Sequence, residues 1–248
     1  QVHAIFDRPD GKNINLDCGS QHPAALGQKV LETHAHMGLA FDGDGDRLIS
    51  VDEQGEPLTG DQALAILAKM LKDQGRLEKD LVVSTVMSNL GFRLALRGFG
   101  VTHAEAQVGD RHVLKEMLKR GAILGGEDSG HMIFLRHHTT GDGLLSALQM
   151  AVALKTFREP LSKLRHLMKV FPQKTINVPV RSRPDLSSVP AITGAIQAVE
   201  DRLGDNGRVL VRYSGTEPVC RVMVEGEDMA QVTAFANDIA GAVEDSIG

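Results

Sequence analysis

The 248 residues carry a net charge of −5, a pI near 6.1 and 42% hydrophobic residues, enough for one large domain or two to three small ones with real cores. That charge excludes the concentrated basic face that nucleic acid or an anionic membrane requires, and leaves room for a small anionic substrate held by a few local cations. Cys18 and Cys220 lie far apart and form no CxxC pair, so no disulfide framework or zinc site is expected and a reducing cytoplasm is the simplest setting.

Neither a membrane span nor a signal peptide is expected, and the chain opens on Gln1, as a processed product or a segment of a longer protein would. Val2 to Asp7 reads as a strand, followed by the turn signal Arg8-Pro9-Asp10-Gly11. His22-Pro23 opens a helix whose apolar positions Ala24, Ala25, Leu26, Val30 and Leu31 recur at helical spacing, ending near Gly38. Met37 to Phe41 and Leu48 to Val51 are strands on either side of a glycine-rich acidic loop. Helices over 61–72, 89–97 and 110–119 then alternate with strands over 81–86, 100–104 and 122–124, the sign of an α/β sheet layered with helices. A strand over 132–135 precedes a long helix from Gly143 through Thr156, and a further helix from Pro160 fades by Met168. The stretch 170–183, with Pro172 and Pro179, reads as a boundary into a separate module of strand 174–180, helix 189–203, strands 208–213 and 219–225 and helix 229–247.

Within Phe41-Asp42-Gly43-Asp44-Gly45-Asp46-Arg47, three carboxylates stand at every second position with only glycine between them. Like charges crowded on one face destabilise an extended segment, and a divalent cation resolves the repulsion. An all-oxygen donor set suits Mg²⁺ or Ca²⁺, and Arg47 sets a fixed positive charge where a phosphate would sit. A calcium EF-hand competes, because Glu53 falls on the loop's last ligand position; against it, Arg47 occupies the position that needs glycine, and the flanks read as strands. A solvated acidic hairpin is the plainer alternative.

Arg212-Tyr213-Ser214-Gly215-Thr216-Glu217-Pro218 combines a guanidinium, small hydroxyls and a glycine, the parts of a phosphate cradle or of an ordinary hairpin turn, and Arg221 offers a second cation. In Gly126-Glu127-Asp128-Ser129-Gly130-His131, Glu127 and Ser129 can point the same way towards sugar hydroxyls. His131 is either a proton-transfer group or a hydrogen-bonded structural residue. Asp110 can cap its helix, and Arg111 is a surface charge or a ligand contact; His34 and His36, near a helix end, are structural.

Together, in this order and at these separations, the motifs resemble the α-D-phosphohexomutase superfamily over essentially the whole chain. Asn13-Ile14-Asn15, Cys18-Gly19-Ser20 with His22-Pro23, Val108-Gly109-Asp110-Arg111 and Glu127-Asp128-Ser129-Gly130-His131 look most like the bacterial phosphoglucosamine mutase branch. The resemblance implies partial and complete three-layer α/β domains plus a carboxy-terminal α+β domain of TATA-binding-protein type: 1–57 as the second half of domain 2, 58–169 as domain 3, 170–248 as domain 4. It implies Mg²⁺ held by Asp42, Asp44 and Asp46, with Arg47 catalytic beside a phosphoserine; His131, from its own chemistry, stays a candidate catalytic group for proton transfer. Glu127, Ser129, Asp110 and Arg111 would contact substrate, and Arg212, Ser214, Gly215, Thr216 and Arg221 would clamp the phosphate that is not reacting. The implied partners are a phosphosugar and an amino-terminal domain bearing the catalytic serine, whose Ser-His-Asn loop is not in this chain; a homodimer is compatible. The acidic loop should then be open to solvent. Departures from the family pattern are Gln107, where relatives often carry lysine, and His112, where they often carry tyrosine; the first leaves the general acid/base unassigned.

Overall fold

Local sequence sets the elements of the computed structural model, which describes residues 1–248. α1 (Ala24–Thr33) ends earlier than expected, because His34 takes the left-handed conformation at φ 50° and closes the helix. β1 (Gly38–Phe41) and β2 (Leu48–Val51) form an antiparallel hairpin with Phe41 opposite Leu48. The strand expected over 2–7 does not form: β1 pairs with β2 alone, and Phe6 bends away at φ 55°. An extended segment without a ladder partner has nowhere to place its backbone hydrogen bonds except water.

α2 (Gly60–Asp73) starts at a capping box, in which the Thr59 hydroxyl accepts the Gln62 N–H and the Gln62 side chain accepts the Thr59 N–H. β3 (Leu81–Thr85), α3 (Leu90–Gly98), β4 (Thr102–Ala106), α4 (Asp110–Arg120), β5 (Leu124–Gly126) and β6 (Met132–Phe134) follow. The strands make one sheet in the order β4-β3-β5-β6, parallel except for β6. β4 and β5 each begin two residues later than the sequence pattern suggests, because Val101 N–H bonds back to Leu96 and Ala122 N–H to Met117, finishing the preceding helix. α5 (Gly143–Phe157) is capped by Asp142, which accepts the Leu145 N–H, and the short α6 (Leu161–Leu164) passes into a single 3-10 turn.

The sheet is covered on both faces. Val82, Leu124, Met132 and Phe134 meet α2, α3 and α5, while Leu81, Val83, Ala104, Ala106 and Ile133 meet Val113 and Met117 of α4. All five residues of β3 are buried, as expected for a central parallel strand. Leu48 and Leu58, beside the acidic hairpin, share the core of α2, so the hairpin is anchored to the same body as the sheet. The outer face of α5 leaves Leu144, Leu148 and Val152 exposed. No helix is long and apolar enough to cross a membrane.

Two compact units are present, residues 1–169 and 170–248. In the second, β7 (Gln173–Pro179), β9 (Val219–Glu225) and β8 (Arg208–Tyr213) form an antiparallel sheet in that order. α7 (Pro190–Leu203) and α8 (Met229–Ile247) cover the face carrying Val178, Cys220, Val222 and Val224. Burial pushes the Cys220 thiol pKa up, as for an inert core residue.

In the first unit, the turn after β2 is tied to α6. Asp52, 1% exposed, accepts the N–H groups of Gln54 and Glu56 and the Arg165 guanidinium at 2.9 Å, while Arg165 also donates to Pro57 O. Glu53 accepts from the Ser162 N–H and hydroxyl. Burial pushes the Glu53 carboxyl up, but hydrogen bonds led by the Ser162 hydroxyl outweigh it and hold the pKa below its ordinary value. This contact therefore contributes above the ordinary glutamate pKa and is lost on acidification below it. Asp52→Ala would leave two backbone donors and a guanidinium without their acceptor. It is expected to cost the first unit about 2–3 kcal/mol, measured by urea unfolding, with Asp52→Asn recovering part of the loss.

Candidate functional site

The acidic hairpin is the first cluster. Asp42, Asp44 and Asp46 each bring an oxygen within 4.8 Å of the others. Arg47 N–H donates to Asp42 Oδ1 at 3.2 Å, and Arg47 Nε lies 3.7 Å from Asp42 Oδ2 and 3.8 Å from Asp46 Oδ1. Asp46 Oδ1 and Arg47 Nε are both buried without a hydrogen-bond partner, so the guanidinium neutralises part of the charge without taking up the oxygen. An all-carboxylate set with a shielded, unspent oxygen fits a hard divalent cation. The flanks are strands and Glu53 is spent on Ser162, so the helix-loop-helix geometry of an EF-hand is not what forms.

The second cluster lies at the carboxyl edge of the parallel strands, where open α/β sheets bind ligands. Asp110 and Arg111 open α4 just after β4, and both are exposed. Glu127 and Ser129 follow β5. Glu127 Oε1 accepts the Gly109 N–H at 3.0 Å, so these two loops are joined through the carboxylate itself. Asp128 turns the other way, accepting the Asp61 N–H at the start of α2, where a carboxylate suits the helix dipole.

The two clusters are fastened to each other. Leu48 N–H donates to Gly130 O at 3.0 Å, and Arg47 forms a β-bridge with His131. Gly130 has φ 90°, and a Cβ there would lie 2.3 Å from Leu48 O. Gly143 N–H, the first turn of α5, donates to Gly45 O at 2.8 Å. His131 is 3% exposed, with Nδ1 3.0 Å from Asp46 Oδ2 and Nε2 3.1 Å from the Gly141 nitrogen. Sequence reasoning read Gly141-Asp142-Gly143 only as a helix start and missed its part in holding the hairpin; glycines flanking a capping aspartate were the available signal.

A third cluster belongs to the second unit. Arg212 and Arg221 are direct cross-strand partners on β8 and β9. Burial, with Arg221 adding repulsion, pushes the Arg212 pKa down. Arg221 donates to Glu217 at 2.8 Å. Ser214 is buried, and its oxygen accepts the N–H groups of Thr216 (3.4 Å) and Glu217 (3.3 Å), which leaves its hydroxyl proton to donate. Gly215 and Thr216 are exposed at the tip of this turn. Two like charges facing each other across a ladder are unfavourable by themselves and favourable to an anion.

Residues 59–171 match the family described as phosphoglucomutase/phosphomannomutase, alpha/beta/alpha domain III, and residues 176–242 match its C-terminal domain. The chain belongs to this phosphohexomutase family. Among individual proteins, it is 52% identical over 248 residues to the phosphoglucosamine mutase of Syntrophus aciditrophicus and 55% identical over 247 residues to that of Syntrophobacter fumaroxidans. All of this chain aligns in both cases, and it spans 55% of each relative's length. The fold matches Aspergillus fumigatus N-acetylphosphoglucosamine mutase, solved with GlcNAc-6P and magnesium, at TM-score 0.72, 19% identity, 92% of this chain and 57% of that one. A phosphoglucomutase/phosphomannomutase family protein of Burkholderia thailandensis matches at TM-score 0.71, 20% identity, 93% of this chain and 52% of that one.

Phosphate titration calorimetry checks the third cluster. Inorganic phosphate is expected to bind the wild-type chain, and Arg212→Met to weaken binding roughly tenfold or more, the worth of a charge-assisted hydrogen bond.

Proposed function

We propose that this chain is the carboxy-terminal part of a phosphosugar mutase that interconverts glucosamine 6-phosphate and glucosamine 1-phosphate. The observation that carries this reading is the pairing of two differently built anion sites, an acidic hairpin with an arginine and a twin-arginine turn, on a chain of the phosphohexomutase family. A reaction that moves a phosphoryl group between two positions of one sugar needs both kinds of site. In this reading residues 1–57 complete domain 2, 58–169 form domain 3 and 170–248 form domain 4.

Asp42, Asp44 and Asp46 hold Mg²⁺, which when bound neutralises charge on a phosphate. Arg47 adds a fixed cation beside them. Glu127 and Ser129 hold the sugar hydroxyls, with Asp110 and Arg111 at the neighbouring loop. Arg212, Ser214, Gly215, Thr216 and Arg221 hold the phosphate that is not reacting. The phosphoryl group itself passes from a serine of an amino-terminal domain to the free sugar hydroxyl, whose proton leaves to a base. The resulting bisphosphosugar reorients and returns its other phosphate to the serine. Positioning and charge neutralisation supply most of the rate in such transfers. Asp44 is exposed, and an open hollow of about 900 Å³ between Phe6–Cys18 and Phe41–Gly43 borders the hairpin, which supports approach of the serine-bearing domain there. A cytoplasmic setting accords with this substrate.

In the whole protein, with its serine domain, Asp44→Asn is expected to lower kcat by about a hundredfold or more in Mg²⁺; near-normal turnover would sink the metal assignment. The family description also covers phosphoglucomutase and phosphomannomutase activities. Faster turnover of glucose or mannose phosphates than of the amino-sugar phosphate would replace the proposed substrate with one of those.

A further inference from the structure

We infer that Asp128 is the positioning residue for Glu127 and Ser129, an inference that rests on the proposed role of those two side chains in holding the sugar. The first amides of a helix have no carbonyl within it to bond. In α2 the Thr59 hydroxyl takes the Gln62 N–H, and the two amides before it both go to Asp128: Gly60 N–H donates to its backbone oxygen and Asp61 N–H to its Oδ1, each at 3.1 Å. A carboxylate meets this helix end with charge as well as geometry, because the dipole is positive there. The mount itself is rigid. Every residue of α2 from Gly60 to Ala68 is buried, and the Asp61 carboxylate accepts the Asn89 N–H at 2.7 Å, which joins the mount to the residue capping α3.

The loop sits directly on the helix end. A Cβ at Gly60 would lie 2.4 Å from Asp128 O and 2.6 Å from Glu127 O, so only glycine lets the loop seat here. The loop is also closed on itself, with Glu127 N–H donating to His131 O at 2.9 Å and Gly130 N–H to Glu127 O at 3.0 Å. A closed loop of this kind turns as a unit, and its orientation is set by what it is fastened to. Asp128 stands between Glu127 and Ser129, so its two bonds to α2 fix the backbone that carries both. Glu127 is half-buried and Ser129 exposed, which leaves both within reach of a ligand. Hydrogen bonds to sugar hydroxyls weaken steeply with misalignment, and a loop free to rotate about its ends would lose two of them together.

The test is steady-state turnover of glucosamine 6-phosphate by the whole protein with its serine domain. Asp128→Ala is expected to raise KM roughly tenfold with a smaller change in kcat, because the sugar hydroxyls are held in ground and transition states alike. Asp128→Asn, whose amide oxygen can accept the same Asp61 N–H, is expected to stay within about threefold of wild type. An unchanged KM in Asp128→Ala would overturn the inference, and so would an Asp128→Asn as impaired as Asp128→Ala. Failure of the wild type to turn over the amino-sugar phosphate would instead overturn the functional reading beneath it. A second measurement needs no substrate: in amide hydrogen exchange of the 248-residue chain, Asp128→Ala is expected to speed exchange at Glu127 and Gly130 by roughly tenfold while leaving Leu64 to Leu67 of α2 unchanged. Unchanged exchange at Glu127 and Gly130, or an equal acceleration throughout α2, would refute the positioning role.

Discussion

Crowding of like charge in the Asp42–Arg47 turn is the constraint around which the first unit is built. Three carboxylate oxygens within 4.8 Å of one another repel by about 1 kcal/mol per pair even in water, and by more where the protein reduces screening. A free hairpin would relieve this by opening. Here it cannot, because its carbonyls and amides are held from three directions: Gly130 O takes Leu48 N–H, Gly143 N–H takes Gly45 O, and His131 takes the side chain of Asp46. The strands and helices that supply those groups are themselves fixed by a core in which β3 and α2 are buried almost throughout. Fold stability is in effect spent on keeping a charged loop closed.

The twin-arginine turn follows the same logic with the sign reversed. Arg212 and Arg221 face each other because the β8–β9 register puts them there, and that register is set by Val209, Val211, Val222 and Val224 packing against α7 and α8. Glu217 gives Arg221 a carboxylate partner, while the Ser214 oxygen organises the turn. Each cluster thus holds like charges close together through contacts made elsewhere in the fold.

Much of this was legible in the sequence wherever the relevant residues are neighbours. The Asp42-Gly-Asp-Gly-Asp run, the Glu127–His131 loop and the Arg212–Pro218 turn are contiguous, so they stood out as candidate motifs, while each kept a plainer reading until their order and separation were taken together as a family resemblance. The alternation of helix and strand over 60–135 reports hydrophobic period, so the layered sheet was legible too. What could not be read are the pairings between distant segments. Asp46 with His131, Gly45 with Gly143 and Asp52 with Arg165 join parts of the chain that no local pattern connects. Residues 2–7 went wrong for a related reason: apolar alternation indicates a face, but a strand also needs an edge to pair with, and β1 pairs only with β2. Helix ends were misplaced where backbone hydrogen bonds continued past the apolar pattern, as at Val101 and Ala122.

The register of the β1–β2 hairpin has one more consequence. With Phe41 locked opposite Leu48, the chain between them has a set number of residues in which to present its oxygens. The segment between them is a turn, closed by Gly45 N–H on Asp42 O with Gly45 at φ 70°, so removing or adding one residue would break that turn and displace the carboxylates beyond the change. Turn length, as much as the three aspartates, fixes where these carboxylate oxygens lie.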